Sequence, residues 1–199
     1  INRALPGGGL SYMYFQSNTN YLYEAIPDSP DYIIYIMIND HYRRMYINTF
    51  DIPYNSFYLH YSFKRNKFII EDYKNPFKNF IRSLYITRFF NHVYANYMVN
   101  YCPEEVTDLF LEYLNQSRNN IEKHYNKKLK FVILLYEDRE ILHKNILKKK
   151  LKNSNYIVIE TSKLTDIDLY TNSIPNDFHP TEEEWDLLLP LIVKEIGLE

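Results

Sequence analysis

Near the C-terminus, Asp177 and His179 stand two residues apart in Pro175-Asn176-Asp177-Phe178-His179-Pro180. A carboxylate beside an imidazole fixes its tautomer and stabilises the imidazolium, which is what a general base requires. Proline restricts its own φ and the residue before it, so the loop is constrained at both ends. Thr181 to Glu184 then reads as a capping box, with Thr181 at N-cap and Glu184 at N3. At the other end of the chain, Pro6-Gly7-Gly8-Gly9 holds three of the four glycines. Glycine admits close approach to the backbone, and the free N–H groups of such a turn can receive an anion or an oxyanion. A third element is Asn39-Asp40, at the end of an apolar run. Taken singly, each has a plainer reading: a solvated histidine, a flexible turn, an ordinary strand-ending turn.

The elements that would position these groups follow from periodicity. Residues 31–38 are continuously apolar, β-branched and aromatic, as expected of a parallel strand buried on both faces. Ligands of open α/β sheets bind at the carboxyl ends of such strands, where Asn39 falls. Residues 129–136 and 156–160 are further strands. Residues 57–63 and 68–73 flank Lys64-Arg65-Asn66-Lys67 as a β-hairpin, within a projecting insertion over 41–76. Helices are expected over 12–26, over 77–96 with an aromatic stripe read as core or pocket wall, and over 103–125. In the last, Val106, Leu109, Phe110, Tyr113 and Leu114 recur at helical spacing. A helix over 138–151 ends in Lys148-Lys149-Lys150, cations suited to a helix C-terminus, and a polar loop spans 161–174. The final helix carries Trp185, Leu188, Leu189, Ile192, Val193 and Ile196 on one face, with Pro190 to kink it and Gly197 at its C-cap. Strands separated by helical segments predict an α/β fold, a three-layer α/β/α sandwich around a parallel sheet.

Composition narrows the function classes. The 199 residues fit one domain, and a formal charge of -2 gives no electrostatic case for nucleic acid. No apolar run approaches the roughly 18 residues of a membrane span, and no signal peptide is visible. The single cysteine, Cys102, excludes an internal disulfide and leaves the compartment open. The six histidines form no paired i, i+4 set, so no metal or other cofactor is expected. His41, His60, His92, His124 and His143 read as surface or structural.

Set in order, Leu5-Pro6-Gly7-Gly8-Gly9, Ile38-Asn39-Asp40 and Asn176-Asp177-Phe178-His179-Pro180 resemble the glycine, asparagine and final Asp/His blocks of the SGNH (GDSL-type) hydrolases. Arg43 or Arg44 suits the branch with a Pro-Gly-x-Gly turn, and the strand at 129–136 sits where the family has one. The resemblance implies a flavodoxin-like sheet and a serine hydrolase mechanism. His179 would be the base and Asp177 its orienting acid. The Gly7 backbone N–H and the Asn39 side-chain amide would form the oxyanion hole.

Two features depart from that family. The Gly-Asp-Ser block and its strand are missing, which implies that residues preceding Ile1 supply both; Ser11 is a weak substitute because it follows the glycine turn. The more common acid spacing, Asp-x-x-His, would place Asn176 rather than Asp177 as the orienting group. The expected function is an esterase or acyl-transfer enzyme acting on small acyl esters such as acetyl esters, with a small-molecule or glycan ester as substrate. This chain alone is expected to be inactive. The competing expectation is a non-catalytic SGNH-like domain that binds carbohydrate or serves an acyl-transfer or envelope assembly. A phosphate-binding flavodoxin-like module would use the glycine turn but leave Asp177 and His179 without a role.

Overall fold

Apolar runs become strands where β-branched residues cluster, and helices where apolar residues recur every three or four positions. The computed structural model describes residues 10–46, 57–62, 67–72, 77, 80, 84–136, 141–152, 154–165 and 181–198. In chain order these form α1 (Leu10–Ser17), α2 (Asn20–Ala25), β1 (Tyr32–Met37), α3 (His41–Arg44), β2 (Phe57–Ser62) and β3 (Lys67–Asp72). Then come α4 (Tyr85–Tyr101), α5 (Pro103–Tyr125), β4 (Lys130–Leu135), α6 (Lys144–Leu151), β5 (Tyr156–Glu160), α7 (Thr161–Leu164) and α8 (Glu182–Glu195). The fold is mixed α/β. It packs as two compact units, residues 1–29 with 40–128, and residues 30–39 with 129–199. Among the described residues no helix is long and apolar enough to cross a membrane.

The second unit is built on a parallel sheet of order β1-β4-β5. Every residue of β4 after Lys130 is buried, which is why Phe-Val-Ile-Leu-Leu shows no polar alternation. Val132, Leu134 and Tyr136 project to one face and meet Ile159, Leu188 and Ile192, with Trp185 and Ile196 packed against them. Burying each such side chain contributes about 1.5–3 kcal/mol before conformational entropy is charged against it.

β1 departs from expectation. Only Tyr35 and Met37 are buried, and Ile34 is 38% exposed. The cause is position: among the described residues β1 pairs with β4 alone, so a strand expected to be buried on both faces is covered less well than β4.

α8 begins and ends as its sequence indicates. The Thr181 hydroxyl accepts the Glu184 N–H at 3.3 Å. At the other end Gly197 adopts φ 71°, its N–H donating to Lys194 and that of Leu198 to Val193. This is a Schellman closure. The helix runs through Pro190, and Leu189 is 46% exposed rather than on the core face.

In the first unit α5 has the expected bounds. Pro103 occupies its first turn with Glu104 and Glu105, favourable company for a helix N-terminus. Its buried stripe of Val106, Phe110, Tyr113, Leu114 and Ile121 takes the Tyr14 ring edge-on to Tyr113 at 5.6 Å, and Tyr42 against Phe110 at 5.4 Å. Leu109 falls beside that stripe and is only half-buried. The helix expected over 12–26 is two. Ser17 and Asn18 side chains both donate to the Tyr14 carbonyl, and Thr19 to that of Gln16, so side chains replace the helical ladder at the break. β2 and β3 form the expected antiparallel hairpin, Phe57 facing Asp72 and Ser62 facing Lys67. α4 continues to Tyr101, five residues past the expected end at 96, because Pro103 rather than Asn96 stops it. Its aromatic stripe is not core: Phe90 is 61% and Tyr97 54% exposed.

Candidate functional site

Strand register brings Met37, Leu135 and Glu160 into one row across the sheet. The residues just beyond them, at the carboxyl edge, are the ones whose types could do chemistry. The Tyr136 N–H continues the ladder to the Met37 carbonyl at 3.0 Å, and the Thr161 hydroxyl donates to the Leu135 carbonyl at 3.2 Å. The backbone at this edge is therefore held by hydrogen bonds rather than left to solvent.

Asn39 lies at this edge, two residues beyond β1, with its side chain exposed. Its Oδ1 accepts the Leu142 backbone N–H at 3.0 Å. An amide tied through its oxygen has its orientation set and presents Nδ2, with two N–H donors, away from that bond. Asp40, the next residue, is committed elsewhere: its carboxylate accepts from Arg43 Nε at 2.7 Å and Arg44 Nε at 2.5 Å. Burial alone would raise the Asp40 carboxyl, but the two guanidinium groups outweigh it and hold it below the usual carboxylate range.

Two clusters at the same edge have no clear precedent in the sequence. Tyr136, fully buried, donates its hydroxyl to Glu184 Oε1 at 2.6 Å. Glu184 is itself buried, and its Oε2 has no hydrogen-bond partner among the described residues. A capping-box glutamate ordinarily reaches back to the N-cap N–H. Here its carboxylate latches the first turn of α8 to the residue that follows β4.

The second cluster surrounds Glu160, the last residue of β5 and 7% exposed. Lys148 Nζ lies 2.7 Å, Lys163 Nζ 2.6 Å and Lys144 Nζ 3.8 Å from its carboxylate oxygens. Burial pushes the Glu160 carboxyl up, and hydrogen bonds and charge from Lys148 and Lys163 more than reverse it. Lys148, read from sequence as complementing a helix end, thus has a specific partner. The only advance signal was lysine at 144 and 148, one turn apart ahead of a strand ending in glutamate.

Of the residues singled out from sequence, Asn39 is placed at the sheet edge. Gly7, Asn176, Asp177 and His179 lie outside the described residues. Ser11 falls in the first turn of α1, in the other unit. His124 stacks on Tyr23 with ring centroids 3.5 Å apart and His41 is buried, both structural settings. Among the described residues no group of three or more His, Cys, Asp or Glu side chains could hold a metal ion.

Comparison of the chain with protein-family models, with curated proteins and with solved structures gives no match.

Proposed function

We propose that this chain supplies the oxyanion and acid/base parts of an SGNH-type serine esterase acting on small acyl esters, within a three-layer, flavodoxin-like α/β sandwich. The observation that carries the reading is Asn39: a side-chain amide at the carboxyl edge of a parallel sheet, tied through its oxygen to the Leu142 N–H, with its N–H donors directed elsewhere. Two further features support it. The latch between Glu184 and Tyr136 anchors the start of α8 at the same edge, and Thr181 follows His179 by two residues in the chain. The reading takes its nucleophile from a Gly-Asp-Ser strand of the kind the family resemblance implies.

In this mechanism a serine on that strand attacks the ester carbonyl while His179 takes its proton. Asp177 holds the imidazole in the required tautomer and stabilises its cation. Negative charge developing on the carbonyl oxygen is met by Asn39 Nδ2 and the Gly7 N–H. His179 then returns the proton to the departing alcohol, and water repeats the cycle on the acyl-enzyme.

The test uses the full-length protein and p-nitrophenyl acetate. His179→Ala is expected to lower kcat at least about a thousandfold, and Asn39→Ala about a hundredfold or more. Activity in His179→Ala equal to that of the parent would sink the reading.

A further inference from the structure

A helix that buries one face ordinarily turns polar side chains to water on the other. α4 does not. Ala95 and Val99 are buried on its inner side. The opposite side carries Ile86, Phe89, Phe90, Val93, Tyr97 and Tyr101, each between 49% and 74% exposed. At the helical period, positions 86, 90, 93, 97 and 101 fall within an arc of about 80°, so they form one continuous stripe. Between Tyr85 and Tyr101 the only Asp, Glu, Lys or Arg is Arg88, whose position falls outside that arc.

Three properties of the stripe select its occupant. The first is area. At roughly 100 Å² exposed for each large side chain, the five residues of the stripe with Phe89 beside them offer on the order of 600 Å², most of the roughly 800 Å² per partner of a standard stable interface. The second is composition. Tyrosine and phenylalanine without charge mark the centre of protein interfaces, whereas an anionic lipid surface is met by lysine and arginine. The third is symmetry. Laid antiparallel on a copy of itself about a point between Val93 and Tyr94, the stripe sets Phe90 opposite the partner's Tyr97, and Ile86 opposite the partner's Tyr101. Large side chains meet large side chains at every level, as an isologous contact requires.

We propose that the outer face of α4 is a homodimer interface, in which two copies of this helix pack antiparallel about a twofold axis near Val93.

Sedimentation velocity between about 1 and 100 μM tests it. The wild-type chain is expected to show a concentration-dependent dimer. Phe90→Lys and Tyr97→Glu, each at a position more than half exposed, are expected to weaken it at least about a hundredfold when studied alone. Mixed in equal amounts, they should form a heterodimer, because the antiparallel register sets the new lysine opposite the new glutamate. Far-UV circular dichroism confirms that each variant is folded. A wild-type chain that stays monomeric throughout overturns the proposal, as do variants that still dimerise alone. A mixture that stays monomeric overturns the antiparallel register. Capture of a monomeric wild-type chain by zwitterionic phosphatidylcholine vesicles assigns the face to a lipid surface instead.

Discussion

Two of the most apolar stretches of the chain meet opposite fates. β4 buries everything after its first residue, whereas α4 leaves its aromatic stripe in water. The contrast shows that apolar content does not by itself locate a core. β4 is flanked by strands on both edges, and its side chains Val132 and Leu134 meet α8. α4 has a core on one side only, through Ala95 and Val99, so the same kind of residue becomes a surface on the other. Burial in β4 therefore contributes to stability, and exposure on α4 to recognition.

Breaking β4 should have the largest effect. Leu134→Ala leaves a cavity among Val132, Tyr136, Leu188 and Ile192, and is expected to lower unfolding stability by about 2–5 kcal/mol, read from the denaturant midpoint. A loss under about 1 kcal/mol would mean that the core collapses around the gap and the contrast with α4 is overstated.

An intermediate effect is expected where charge rather than apolar contact closes the sheet edge. Glu160 titrates below its usual range when folded. Its contribution is therefore present above the unfolded carboxylate value and is lost as pH falls through the lower folded value. Glu160→Gln should cost about 1–2 kcal/mol at neutral pH, limited because its lysine partners are partly exposed. It should also flatten the acid limb of stability against pH. A variant with an unchanged acid limb would remove the lysine cluster from the account.

The smallest effect belongs to α4. At concentrations where the chain is monomeric, Phe90→Lys should change stability by no more than about 0.5 kcal/mol. A loss comparable to that of Leu134→Ala would show that the stripe serves the core after all.

Much of the fold is legible because its signals are local. The β-branched runs at β4 and β5, Pro103 at the start of α5, the short runs of β2 and β3, Thr181 and Gly197 each act within a few residues of themselves. Other features depend on partners that no local pattern names. The half-exposure of β1 follows from having one strand neighbour among the described residues. Tyr136 with Glu184, and Lys148 with Glu160, join residues brought together only by folding. The break between α1 and α2 was readable in principle, since Ser17-Asn18-Thr19 is a run of side chains that compete for backbone carbonyls. At the site, Asn39 was legible from its place after an apolar strand. What fixes it, the Leu142 N–H, comes from a segment more than a hundred residues later.

The order β1-β4-β5 also has a temporal side. β1 is made well before its partner β4, which follows only after all of α3, the hairpin, α4 and α5 have been synthesised. Throughout that interval Tyr32–Met37 is an apolar strand without its pairing partner, the kind of segment that sticks to other chains. Residues 40–128 can begin to organise before it is covered. The strand ahead of Asn39 is thus a part of the nascent protein that needs shelter while translation continues.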